Sequence, residues 1–344
     1  MKRFSFSKSF IALLFIFAYS QIALPQAGAS IYQILDLPLD ARSIALGGIN
    51  VSTREGSVDM AISNPALLSA EAKNTISISY TKYLGSINYG SAGYAYSWGQ
   101  HNFGVSMNYL DFGKFRGYDE LDNYQGDFRA KDIMLSLIYS YHFGKYFTVG
   151  GGLKPIYSTY ERYWSAGLAV DFGATYHNEE ILLDLGLAVK SIGVQFNSYT
   201  GQSRERLPLN IVFGLSKKLQ KAPLRFSITF HNLQKFNLGY EQARYTDKQY
   251  LSQNSPKWYD MAFRHTIFAV EILPSKNFYL SAAFNYRRRA EMTIPASRSL
   301  AGFSFGAGLN VKGFKADFAL TQFQAGNLTY HLTLTTDLKS LGIK

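Results

Sequence analysis

The chain has 344 residues, 47% of them apolar and 16% aromatic, with a formal net charge of +11, which is length enough for one large barrel or two ordinary domains. It has no cysteine, so a disulfide framework, a thiolate metal site, a cysteine nucleophile and a lipoprotein cysteine anchor are excluded. The basic residues are neither massed on one helix nor interleaved in a recognition pattern, which argues against nucleic acid as a partner.

Residues 1–29 read as a secretory signal peptide. Lys2, Arg3 and Lys8 form a basic start, the run from Phe10 to Tyr19 an apolar core, and Ala27-Gly28-Ala29 a small-residue exit. That apolar core is about ten residues where a membrane span needs about twenty. Residues 30–74 follow without strand character. Leu39 to Ser69 is a run of small residues with a Gly47-Gly48 pair suited to positive φ and an Asn64-Pro65-Ala66 step that favours a turn. This stretch is expected to form a compact plug inside a barrel, where irregular backbone finds partners away from lipid.

Residues 75–344 read differently. No run of about twenty apolar residues occurs, so helical spans are excluded, and alternation replaces them. Leu328, Tyr330, Leu332 and Leu334 share one face, while Thr329, His331, Thr333 and Thr335 share the other. Arginine is therefore expected to be costly at Leu332 and mild at Thr333. About fourteen such segments are predicted, at 75–83, 88–99, 102–112, 128–143, 145–159, 163–177, 180–192, 207–217, 222–232, 261–273, 277–288, 300–311, 313–323 and 326–338. Tight turns alternate with the long polar connections 111–127, 193–206, 232–260 and 289–299. If the chain enters from the periplasm, every long connection falls outside and every short one inside. Tyrosine and phenylalanine cluster near segment ends, as interfacial girdles require. The fold class is all-β: a transmembrane antiparallel β-barrel.

Chemistry is sparse. Gly302-Phe303-Ser304-Phe305-Gly306 matches a serine-hydrolase elbow, but it lies in a strand with no helix after it. The six histidines lack paired zinc spacing; His142, His231 and His331 are expected to face inward, near Asp184, Glu271 or Asp317. Lumenal Lys154, Lys190, Arg225 and Lys315 are expected to neutralise Asp171, Asp184 and Asp317 around the plug. Gly150-Gly151-Gly152 suits close approach of the plug backbone or a strand bend. No catalytic, cofactor-binding or metal-binding residue is assigned. Arg287, Arg288 and Arg289 form an outer-rim cluster, read either as a lipopolysaccharide contact or as solvated charge. The connection 232–260 carries Tyr240, Tyr245, Tyr250, Trp258 and Tyr259. Those aromatics suit a partner-binding loop, and equally a lid folded over the mouth.

Ala41-Arg42, the Gly47-Gly48 pair and then Asn64-Pro65-Ala66 ahead of the first strand resemble the hatch of the FadL-like family of fourteen-stranded barrels. Within it the chain is most similar to the PorV/PorQ branch of the type IX secretion system. The segment 113–132, with Asp119-Glu120, Gly126, Phe128, Ala130 and Asp132, resembles the PorQ members of that branch. The resemblance implies a non-enzymatic outer-membrane barrel without cofactors that anchors a surface partner, PorZ, near the PorU/PorV sortase complex. The alternative is a FadL-like transporter of hydrophobic small molecules. Inward Gly, Ser, Thr, Asn and charges argue for the scaffold, because transport needs a greasy lumenal path.

Overall fold

The computed structural model describes residues 30–341 apart from 56, 202–203, 239–256, 293–298 and 325–326. Fourteen strands close into one antiparallel barrel: β1 (Thr75–Lys82), β2 (Asn88–Trp98), β3 (His101–Tyr118), β4 (Tyr124–Phe143), β5 (Phe147–Tyr160), β6 (Tyr163–Asn178), β7 (Leu183–Asn197), β8 (Asn210–Lys218), β9 (Leu224–Phe230), β10 (Thr266–Ser275), β11 (Phe278–Asn285), β12 (Phe303–Val311), β13 (Phe314–Gln324) and β14 (Asn327–Asp337). The seam is β1 against β14, in register from Thr75 opposite Asp337 to Lys82 opposite Tyr330.

Two-residue periodicity sets the wall. In β14 Tyr330, Leu332 and Leu334 are 44–52% exposed on the outer face, while Thr329, His331 and Thr333 are at most 2% exposed on the inner one. The same alternation carries Phe303 and Phe305 outward and Ser304 inward. Trp98, Phe143 and Phe147 stand exposed beside the turns at 99–100 and 144–146, where an interfacial girdle belongs.

The start of β1 and the end of β14 share one rim with the six connections of two to five residues at 99–100, 144–146, 179–182, 219–223, 276–277 and 312–313. The opposite rim carries the long ones, but not only those: β5 and β6 meet there through residues 161–162, with Tyr160 opposite Tyr163. The expected long loop at 111–127 is instead the tip of the β3–β4 hairpin, with Lys114 opposite Arg129, Phe115 opposite Phe128 and Arg116 opposite Asp127. Its polar sequence hides alternation that is broken by register shifts between Asp111 and Lys114, where Gly113 adopts φ +86°, and between Gly117 and Tyr118. Two other predicted strand ends are helical. Residues 258–264 form a helix rather than the start of β10, and residues 286–292 form one after β11.

Residues 30–74 lie within the ring of strands in short helices and turns. α1 (Ala41–Ala45) packs on β11 to β14, α2 (Val58–Ala61) packs on β1 to β3, and the turn at Pro65–Leu67 packs on β4 to β6.

Candidate functional site in the barrel lumen

The N-terminal segment is too short in each piece to be helical on its own; wall contacts and caps hold it. Asp40 caps α1 by accepting from the Ser43 N–H at 2.7 Å, and the helix ends where Gly47 and Gly48 take φ +96° and +101°. A Cβ on Gly47 would run into Ile267 of β10, and one on Gly48 would sit 2.9 Å from Arg288 Nη2. The Asn64-Pro65-Ala66 step is fixed by Asn64, whose Nδ2 donates to the Val51 carbonyl at 2.7 Å and whose Oδ1 accepts from Ala66 N–H at 3.1 Å. It seats on the wall at Gly150, where a Cβ would stand 2.6 Å from the Pro65 carbonyl carbon. Close approach of this backbone is thus the use of Gly150.

Six charges join the segment to the wall. Arg42, 2% exposed, pairs with Glu55 and with the fully buried Glu271 of β10. Arg225 of β9 reaches Glu55 at 2.7 Å and Glu271 at 2.5 Å. Lys315 of β13 reaches Glu55 at 3.0 Å and Asp317 at 3.5 Å, and the Tyr279 hydroxyl donates to Asp317 at 2.7 Å. The Arg42 guanidinium lies 3.7 Å above the Tyr279 ring. Three cations therefore meet three carboxylates. Burial pushes the Glu55 carboxyl up, yet Arg42, Lys315 and Arg225 together hold it well below the usual range. A second pair, Lys154 with Asp171 at 2.5 Å, is completed by the Ile62 carbonyl, which accepts from Lys154 at 2.9 Å.

The anticipated neutralisation of lumenal charge is therefore present for Lys154, Arg225, Lys315, Asp171 and Asp317, while Asp184 pairs with His177. Sequence reasoning missed Glu55, the carboxylate that three cations share. The signal was a glutamate beside Arg54 in a run rich in small residues. It read the inner face as Gly, Ser, Thr, Asn and charges, with room for no more than a minor apolar pocket at the hatch. In the structure Ile34, Leu35, Leu39, Val58, Ile62 and Leu68 make an apolar cluster with inward Tyr89, Leu110, Met134, Ile138 and Ile156.

The inward histidines do not converge on one another. His142 bonds Thr148 at 2.9 Å, His331 bonds Thr81 at 2.7 Å, and His231 sits just past β9. Among the described residues no group of histidines and carboxylates is arranged to hold a metal ion. Ser304 shares a 3.0 Å hydrogen bond with Thr321 and lies in β12, the strand setting expected for it.

At the rim opposite the end of β14, α3 (Trp258–Arg264) and α4 (Tyr286–Met292) pack together, tied by the Tyr286 hydroxyl donating to Asp260 at 2.6 Å. Trp258 and Tyr259 stand on α3, 77% and 45% exposed. Tyr240, Tyr245 and Tyr250 lie outside the described residues. The arginine triple does not form one outward cluster, because successive residues of a helix diverge by about 100°. Arg287 pairs with Glu291 at 2.8 Å, and Arg289 donates to the Ser299 carbonyl at 2.5 Å. Arg288 turns into the lumen, donating to Thr321 at 3.2 Å with its guanidinium 4.2 Å from the Phe323 ring centre. The geometry thus takes Arg288 away from the outer face on which the three were expected to cluster.

No family model matches the chain, and no curated protein matches it. Among solved structures it is similar to a deltaS2 mutant of the TodX monoaromatic hydrocarbon channel, with a TM-score of 0.54 and 13% identity over 87% of this chain and 97% of that one. The barrel is FadL-like in fold. A FadL homologue from Pseudomonas aeruginosa also aligns, with a TM-score of 0.48 and 11% identity over 90% of this chain and all of that one. The exposed apolar face of the strands is the face that a membrane-spanning barrel turns to lipid.

Proposed function

We propose that this FadL-like barrel is a non-catalytic outer-membrane component of the type IX secretion and attachment machinery, of the PorV/PorQ type, exported by its leader. It anchors a PorZ-like surface protein beside the PorU/PorV complex. The observation that supports this reading is the latched lumen: Arg42 and Glu55 tie the N-terminal segment to β9, β10 and β13. A barrel stopped in this way works through its surface. Its outer rim offers Trp258 and Tyr259 on α3, and Tyr118, Leu121 and Tyr124 exposed at the tip of the β3–β4 hairpin. Photocrosslinking residues placed at Trp258 and at Leu121 in intact cells are expected to capture one surface protein. Replacing Leu238 to Lys257 with a short Gly-Ser linker is expected to release it from a barrel that still folds. Retention at full yield would rule out that connection as the anchor, and absence of any crosslink at both positions would rule out attachment at this rim.

A second reading is transport of a hydrophobic small molecule, favoured by the likeness to a monoaromatic hydrocarbon channel and by the apolar cluster around Tyr89, Leu110 and Met134. Uptake of a labelled monoaromatic hydrocarbon by cells with and without the gene separates the two. Uptake that depends on the barrel and survives partner loss would favour transport.

A further inference from the structure

We propose that the short-turn rim of the barrel, from β8 to β13, is a docking surface for the headgroups of anionic glycerophospholipids in the periplasmic leaflet. Short turns are the ones a bacterial barrel presents to the periplasm. The connections 219–223, 276–277 and 312–313 carry Lys221, Lys276 and Lys312, and Lys218 ends β8; all four lysines are exposed. Consecutive hairpins on one rim lie two strand spacings apart, so these three turns follow one another at about 10 Å.

The protein does not neutralise this arc. Between Lys217 and Gly313 the described carboxylates are Asp260 and Glu291, at the opposite rim, and Glu271, buried in the lumen against Arg42 and Arg225. Glu71 of the N-terminal segment lines the same depression as Lys276, and Arg54 holds it at 3.6 Å. Asp337 stands beside Gly313, where the arc ends. Lys218, Lys221, Lys276 and Lys312 form no ion pair among the described residues, whereas Lys145 on the β4–β5 turn is taken by Glu180 at 2.6 Å. The rim is therefore basic on one side and balanced on the other.

The surroundings select a lipid over a soluble anion. Lys217 alternates with inward Ser216 and so stands on the outer face of β8, yet its Nζ donates to the Ile181 carbonyl in the connection 179–182. Its stem runs along the apolar wall and its charge reaches the rim, as a lysine does at a membrane interface. Beside the four exposed lysines, Leu219, Phe278, Val311 and Phe314 are exposed on or next to the strand ends. A phospholipid can set its phosphate on the lysines and its acyl chains on these side chains, whereas a free anion uses the lysines alone. Each lysine near a membrane surface favours an anionic lipid about fivefold.

This inference goes beyond the attachment reading and stands or falls separately, because it is tested on the isolated full-length barrel in phosphatidylcholine bilayers with a trace of spin-labelled lipid. The motionally restricted signal is expected to report about fivefold higher relative affinity for labelled phosphatidylglycerol than for labelled phosphatidylcholine. That preference should vanish at about 1 M salt, where the screening length is about 3 Å. Combining Lys218→Gln, Lys221→Gln, Lys276→Gln and Lys312→Gln is expected to remove most of it in protein that keeps its heat-modifiable mobility, and arginine at the same four positions to preserve it. The set Arg116→Gln, Arg129→Gln, Lys131→Gln and Arg162→Gln, exposed at the opposite rim, should lower it far less. Absence of any preference, an undiminished preference in the folded four-lysine variant, or an equal loss in the opposite-rim variant would overturn the proposal.

Discussion

At the scale of single residues, the charge cluster around Arg42 fixes what substitution should do. Arg42→Met leaves Glu271 buried with one partner fewer and is expected to cost about 3 to 5 kcal/mol. The double variant Arg42→Met with Glu271→Gln should cost less than the two single losses added together, because the pair is removed rather than split. Urea midpoints of the folded band on heat-modifiability gels check this; strict additivity would mean the two side chains are not coupled. Asp40 gives a pH prediction of definite sign. Burial, with Asp59 nearby, raises its carboxyl to about 7 from the 3.8 of an ordinary aspartate. Between about pH 4 and 7 the folded state then holds a proton that the unfolded chain has released, so this residue makes stability fall as pH rises through that window and level off above it. Asp40→Asn keeps the cap on α1 and removes the slope. The variant should match the parent at pH 4 and unfold at higher temperature at pH 8; parallel curves would remove Asp40 from the account.

At the scale of elements, the outer face of β14 and its inner face respond to arginine for different reasons. Leu332→Arg puts a charge against lipid and should cost about 2 to 4 kcal/mol near the midplane. Arginine at Thr333 is expected to be far milder for the wall, but it meets α1, because Thr333 Oγ1 accepts the Ala41 N–H at 2.9 Å. Thr333→Arg should leave the barrel wall intact but expel α1, seen as new protease cleavage within residues 30–74; an uncleaved segment would show that the lumen can accommodate the side chain. Gly150→Val should likewise dislodge the Asn64-Pro65-Ala66 step. These cases mark what was legible beforehand. Strand positions and faces were, because period-two alternation is a local property that lipid and lumen both enforce. The helices at 258–264 and 286–292 were not, because they extend the strand runs beyond the wall and are held by packing on each other and, for 286–292, on β10 and β13. Contact between Glu55 and Arg225, 170 residues apart, leaves no local pattern at all.

For the whole molecule, the N-terminal segment and its six-charge junction predict an electrically quiet barrel. The purified protein in planar bilayers should pass little current, and excision of residues 44–61 should open it. Large steady currents from the intact protein would show that the lumen is not stopped. The wall is also uneven, from 20 residues in β4 to seven in β9. Its short side is where α3 and α4 stand, so helices complete the rim where strands fall short.

The seam of the barrel has a temporal side. The segment that fills the lumen precedes every strand in the chain, yet α1 docks on the four strands that come last. Thr333 meets both Ser79 across the seam, at 2.9 Å, and the Ala41 N–H, 292 residues before it. Contacts of such separation form late, so docking of α1 is expected to accompany closure of the seam. A barrel assembled without residues 30–74 and offered that stretch afterwards as a peptide is expected to stay conductive, whereas restored silence would show that order is irrelevant. Docking that coincides with closure would seal the wall and the pore together and leave no open intermediate in the membrane to leak.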